Sequence, residues 1–485
     1  MKYGVKGGQY KVLSRGEVKT AHEAVLEILE EIGIKISHNE TLRLLDKAGA
    51  KIDYRDRIAK IPSHLVEDCL KRTPESVRIS GRNPKNDLML KGSNAFFGMG
   101  SGPSYVLDLD SGEARPGTKK DVADAAKIGD ALPNIDFVMG FCFPSNVEAS
   151  ITGLHEVDAM ANNTEKPMLV YGYHGKDATN DIIRIGSLIQ GGLDQLKRRP
   201  IFTLYLEPAS PLVFEEKYVD ALLEFAKAGL PVVWTPGLGI GATSPITPAG
   251  TAIQATAESL GGDIITQLTN PGAPFICGGC SLIFDMRTTI YSYGAAEKAI
   301  ADCIIAQLAH YHRIPMFGTG GVTDSKVVDG QAVGEAAESM LLAAMAGQNL
   351  IHDSGYIDAG AGASFEMIVI CDELAARTRR VLRKTPLTAE SLAVDAIKEA
   401  GIGGNFLGLK HTREWFRKEH LLTDLFDRQP REKWRRAGAR ELSDRARDTA
   451  KRIIDTHQAN PIHENVQRQV SEIITEAQKR ELNHG

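Results

Sequence analysis

No apolar stretch in this chain approaches the roughly 20 residues that a membrane span needs. The opening "MKYGVKGGQYKVLSRGEVKT" has none of the apolar core of a signal peptide. These absences predict a cytoplasmic protein with no membrane partner. Strong net charge is missing as well. The 485 residues sum to -5, so neither nucleic acid nor an anionic membrane has a general electrostatic reason to bind. Cysteine is scarce. Cys69, Cys142, Cys277, Cys280, Cys303 and Cys371 are scattered through apolar segments, which suits reduced, buried thiols better than a disulfide framework. Cys277 and Cys280 have the spacing of a metal or redox pair, but no second pair accompanies them. Two small hydrophobes at a strand end are the simpler reading, with zinc as the rival. The chain is therefore expected to hold no metal of its own.

Catalytic signatures are equally sparse. The chain has no G-x-S-x-G, no Walker loop, no H-E-x-x-H, and no lysine inside a strand candidate to form a Schiff base. "GTGG" at residues 318–321 could cradle phosphate, but four such residues alone say little. A chain without an evident nucleophile leaves the hard chemistry to a cofactor.

What the sequence does have is a repeating pattern. Residues 1–90 read as an N-terminal helical cap: "EVKTAHEAVLEILEEIGIKI", "SHNETLRLLDKAGAKI" and "IPSHLVEDCLKRTP" place apolar residues at helical spacing. From residue 91 to 384, apolar strand candidates alternate with amphipathic helices. The strands are "AFFGMGSGPSYVLD", "DFVMGFCF", "PMLVYGYH", "PIFTLYLE", "PVVWTPG", "PFICGG", "PMFGTGG" and "NLIHDSG". Eight strand–helix units are the number that closes a parallel α/β barrel, and strands covered on both faces should be apolar throughout. The expected fold is thus a (β/α)8 TIM barrel; an open doubly wound sheet is the rival, without a G-x-G-x-x-G to support it. Residues 385–485 form a C-terminal helical extension that begins strongly basic. Its charges make either a solvated helix face or a docking surface for an acidic protein. The apolar helical lead-in suggests a homo-oligomer, at least a dimer.

In such a barrel, reactive groups gather at the C-terminal strand ends. In chain order these ends carry Phe97 and Tyr105, Phe141 and Phe143, Tyr171, Tyr173 and His174, Tyr205 and Glu207, Trp234, Phe317, then His352, Asp353 and Tyr356. That is a dense aromatic rim in a chain only 6% aromatic. Converging ring faces hold a cation without opposing it by a formal charge, and a quaternary ammonium is the natural guest. Any one of these rings could equally be packing; for the group, a cation cage is the better reading.

The stretch "GGVTDSKVVDGQAVGEAAESMLLAAMAGQNLIHDSGYIDAGAGASFEMIV", with "LEEIGIKI" near the N-terminus, resembles the trimethylamine methyltransferase family. The resemblance implies an eight-stranded barrel that moves a methyl group from a methylamine to the Co(I) of a corrinoid on a separate protein. The founding members carry pyrrolysine in the loop after "HD.GY". Here Asp358-Ala359-Gly360 are ordinary residues, so the chain is similar to non-pyrrolysine members that act on quaternary amines such as glycine betaine. Chemistry agrees with that division. A quaternary nitrogen leaves as a neutral tertiary amine, whereas neutral trimethylamine would have to expel an amide anion.

The expected activity is glycine betaine demethylation to dimethylglycine, with proline betaine, carnitine and choline as alternative substrates. A betaine-binding protein without turnover is a rival from another class, as is an aldolase- or lyase-like barrel using "GTGG". The expected substrate residues are His352, Tyr356, Tyr105, Phe97, Tyr171, Tyr205, Trp234 and Phe317, supported by Asp353, Asp324, Lys326 and Glu207. His352 either binds a substrate carboxylate or is a buried histidine paired with Asp353. Lys326 is the second carboxylate candidate. The glycines after Tyr356 are expected to keep the loop low and the mouth open.

Overall fold

A computed structural model describes residues 1–172 and 175–484. Its centre is a sheet of seven parallel strands, numbered here in chain order. They are β1 (Asn94–Met99), β2 (Met168–Tyr171), β3 (Phe202–Leu206), β4 (Val232–Trp234), β5 (Phe275–Gly278), β6 (Met316–Thr319) and β7 (Leu350–Ser354). Pairing runs β2-β3-β4-β5-β6-β7-β1, with Val5–Lys6 antiparallel on the outer side of β1. The segment expected to supply a further strand, "DFVMGFCF", is not a full strand. It contributes two parallel bridges, Gly98 to Phe137 and Val138 to Met168, which link β1 to β2. Each parallel step carries a crossover helix, among them Lys119–Ala131, Glu216–Ala228, Pro248–Thr269, Ala296–His312 and Gly330–Ala346. This is the connection that parallel strands require.

Strand parity sorts the side chains into two cores. Phe96, Phe137, Met139, Leu169, Tyr205, Val233, Ile276, Phe317 and Leu350 form an inner cluster. Their immediate neighbours, including Phe97, Val170, Leu204, Trp234, Cys277, Met316 and Ile351, belong to the outer cluster shared with the helices. Successive strand residues point to opposite faces, so each strand serves both cores.

The lead-in holds strands as well as helices. The antiparallel hairpin Ser76–Ile79 with Leu88–Lys91 turns Val77, Ile79, Leu88 and Leu90 into the inner cluster. It closes the end where the strands begin and leaves the opposite end for a site. Around that opposite end stand two small sheets that continue the strands. One joins Gly237–Ile240 to the hairpin Cys280–Asp285 and Ile290–Ser292; the other joins Tyr356–Ile357, Gly362–Ala363, Tyr105–Leu107 and Ala114–Pro116.

The C-terminal residues are helical, ending in Leu442–Thr456 and Glu464–His484. Part of the tail's positive charge meets carboxylates of the body. Arg447 pairs with Glu366 at 3.0 Å, His457 lies 2.8 Å from Asp130, and Arg480 lies 2.7 Å from Asp181. All six cysteines are buried and unbridged. No helix among the described residues is long and apolar enough to cross a membrane.

Candidate functional site

The strand ends opposite the hairpin carry a continuous run of rings. Phe143 and Tyr171 are 6.3 Å apart between centroids, Tyr171 and Tyr205 5.0 Å, Tyr205 and Phe317 5.2 Å, and Phe317 and His352 4.1 Å. Register explains the convergence. Tyr171 sits opposite Tyr205 on the paired strands β2 and β3, while Phe317 and His352 project inward from β6 and β7.

Glu207, two residues beyond Tyr205, keeps the same inward parity. Its Oε2 accepts from the hydroxyls of Tyr205 at 3.1 Å and Tyr171 at 3.4 Å. The carboxylate fits because residue 237 is glycine; a Cβ there would come 2.5 Å from Glu207 Oε1. Burial raises the pKa of Glu207 above the ordinary carboxylate range, which the tyrosine hydroxyls only partly offset. Burial likewise holds the phenols of Tyr171, Tyr205, Tyr293 and Tyr356 well above their usual value, with the nearby carboxylates adding to the effect. These tyrosines stay protonated and can act as donors.

The end of β7 is irregular. Its register against β1 breaks between Ile351 and Ser354, and Asp353 adopts a φ of 90°. A bulge of this kind re-aims a side chain. Asp353 Oδ1 lies 2.8 Å from His352 Nε2, but out of line for a hydrogen bond, so both carboxylate oxygens lack a donor although the residue is fully buried. His352 Nδ1 lies 2.8 Å from the carbonyl of Gly318.

The loop after β7 is tied to its neighbours on both sides. Asp358 accepts from Tyr105 Oη at 2.9 Å, and the amides of Asp358 and Ala359 donate to the carbonyls of Ser325 and Thr323. Gly360 packs between the rings of Tyr293 and Tyr356. Asp324 accepts from the Tyr293 amide at 2.8 Å and from Ser292 Oγ. Asp324 therefore fixes a tyrosine wall, and the loop covers Tyr356, which is buried.

The structure thus brings together Tyr171, Tyr205, Glu207, Phe317, His352, Asp353 and Tyr356. Four expectations need correction. Phe97 faces outward, under the Arg379 guanidinium 5.3 Å from its ring centre. Trp234 also faces outward and packs edge-on to Phe214 at 4.8 Å. Both have the wrong parity for the interior. Tyr105 is tied to the loop through Asp358 and packs against Gly362. Lys326 is largely exposed, bonding the Asp324 carbonyl at 2.7 Å and lying 3.3 Å from Asp358. Tyr173 and His174 lie outside the described residues.

Two neighbours escaped the sequence reading. Tyr293 stands in the site although it follows the hairpin rather than a strand end, and Cys280 Sγ lies 3.5 Å from its hydroxyl. Lys298, also unforeseen, is buried and bonded to Asp302 and Thr319. In "GTGG", the amides of Gly320 and Gly321 already donate to the His352 carbonyl and to Ser339 Oγ, each at 3.0 Å. Among the described residues, no group of three or more His, Cys, Asp or Glu side chains has the geometry to hold a metal ion.

Comparison with known proteins places the chain in context. The model of the family described as trimethylamine methyltransferase matches residues 4–482. A trimethylamine methyltransferase of Desulfitobacterium hafniense is 33% identical over 476 residues, spanning 98% of this chain and 95% of its own. A glycine betaine methyltransferase of the same species is 29% identical over 428 residues, spanning 88% of each. Among solved structures, the monomethylamine methyltransferase of Methanosarcina barkeri aligns with a TM-score of 0.55 at 10% identity. The match covers 92% of this chain and 88% of that one, a likeness of fold alone.

Proposed function

We propose that this chain, which belongs to the trimethylamine methyltransferase family, removes a methyl group from a quaternary ammonium compound and delivers it to a corrinoid on a partner protein. The observation that carries this reading is the wall of Tyr171, Tyr205 and Phe317 around a half-buried carboxylate, Glu207. Ring faces and a carboxylate together hold a permanent positive charge, and they do so without needing a hydrogen on the guest. On the same reading, the seven strands and the Phe137–Val138 bridges form a closed (β/α)8 barrel whose open end is the site.

The partner's corrinoid supplies the nucleophile. This chain's residues supply position and environment. The rings exclude water and present one N–CH₃ bond outward, which brings the reactants into a fixed approach. No side chain has to donate a proton, because the departing tertiary amine is neutral. The absence of a nucleophile–base pair then follows from the chemistry. Glycine betaine, proline betaine, carnitine and choline all contain the required group, and one relative is a glycine betaine methyltransferase.

Reduced cobalamin can stand in for the corrinoid protein. Loss of the Co(I) absorbance on adding a quaternary amine, with stoichiometric appearance of the tertiary amine, is the expected result. Reaction with trimethylamine alone, or with no amine, overturns the reading.

A further inference from the structure

Among the described residues, the cations near this mouth that could receive a substrate carboxylate are all engaged. His352 has the Asp353 carboxylate 2.8 Å from Nε2. Lys298 is buried against Asp302 and Thr319. Lys326 is exposed and held by Asp324 and Asp358. Among the described residues, no lysine or arginine pairs with Glu207 or Asp353. Among the described residues, Glu207 takes hydrogens from two phenols alone, and Asp353 has no aligned hydrogen-bond donor at either oxygen despite complete burial. Asp353 has His352 beside it, whereas Glu207 has no ion-pair partner among the described residues and keeps a demand for positive charge. Glu207 and Asp353 independently present the same sign to the same ring-lined space.

We infer that the site accepts a quaternary ammonium whose other substituent is neutral, an alkyl group or an alcohol, and that Glu207 discriminates against one bearing a carboxylate. This rests on the methyl-transfer reading and narrows its substrate class. A zwitterion would place its carboxylate within a few ångströms of Glu207 or Asp353 in surroundings of low polarisability, where like charges repel strongly. Tetramethylammonium and choline present no such group.

Isothermal titration of the full chain with tetramethylammonium, choline and glycine betaine at pH 7 tests the inference. The expected order is choline and tetramethylammonium ahead of glycine betaine by roughly tenfold or more, in line with a desolvated like-charge contact. Glu207→Gln, which keeps an oxygen for the two phenols, should narrow that ratio several-fold, and Glu207→Asp should restore it. Glycine betaine binding as tightly as choline, or an unchanged ratio in Glu207→Gln, overturns the inference while leaving methyl transfer standing. If none of the three binds or loses a methyl group, the functional reading fails with it.

Discussion

Replacing Gly100 by alanine should disturb the site through a single ring. Gly100 does not have a positive φ, so an alanine backbone is acceptable there. The obstacle is Tyr356. A Cβ on residue 100 would fall onto Cε1 and Cζ of that ring and lie 2.8 Å from its Oη, inside the 3.4–4 Å of ordinary contact. Tyr356 has little room to retreat, since Gly360 packs on its other edge and its backbone pairs with Ala363. Overpacking of this kind costs about 1–3 kcal/mol. The smaller entropy of the unfolded alanine chain returns about 0.4–1 kcal/mol. The net loss should therefore be about 1–2 kcal/mol by urea denaturation. In a Tyr356→Ala background the clash disappears, and Gly100→Ala should instead stabilise by about 0.4–1 kcal/mol. Displacing the ring should also weaken quaternary ammonium binding by several-fold, the order of one cation–π contact. An equal penalty in both backgrounds would refute the steric argument. A loss of stability with unchanged affinity would show that Tyr356 is not a wall of the site.

Trp234→Ala should cost about 3–5 kcal/mol as a core cavity yet leave ligand affinity within about twofold, because the ring faces Phe214 and not the site; a large affinity loss would contradict the outward assignment. Burial raises Glu207 in the free protein, and a bound cation favours its ionised form. Affinity should therefore be full above the free-state pKa and fall as pH drops through it, with titrations of Glu207→Gln showing no such slope. Burial, reinforced by His22, pushes His312 down to about 3. From about pH 6.5 downward the unfolded chain takes up a proton that the folded chain refuses. Stability should decline between about pH 6.5 and 3, less so in His312→Asn, and an identical pH profile for both proteins would refute this. Asp353→Gly removes a left-handed non-glycine backbone and a buried carboxylate without an aligned hydrogen-bond donor. It should be at least as stable as the parent by denaturant titration but bind quaternary ammonium compounds more weakly.

The fold was largely legible because prolines, glycines and apolar runs mark where parallel strands begin and end. Strands β2 to β7 lie within the apolar runs that the sequence separates by amphipathic helices, and β1 begins one residue before its run. The exception is informative. "DFVMGFCF" has the composition of a buried strand, yet only Phe137 and Val138 bridge their neighbours, and Phe141 turns away with a φ of 61°. Composition reports burial, and burial does not require a full ladder. The lead-in was read as helical for a related reason: the hairpin Ser76–Ile79 with Leu88–Lys91 is short, and one of its faces is buried only by the inner cluster assembled from distant strands.

Site residues were harder to read, and the reason is parity. A strand covered on both faces is apolar at every position, so the alternation that would separate Trp234 from Val233, or Phe97 from Phe96, leaves no trace in the sequence. Only a charged strand end breaks the degeneracy. Glu207 can face the interior without crossing a helix layer, and counting back by two makes Tyr205 its companion. The same count from His352 points inward at Leu350. Asp353 defeats even this rule. It follows an inward residue and should face the helices, but the bulge in β7 and a φ of 90° bring its carboxylate beside His352 instead. Such a conformation costs about 1–3 kcal/mol, and it leaves a carboxylate buried without a donor. Both make sense when a positive guest completes the arrangement, so the strain in β7 and the charge of the site are two views of one design.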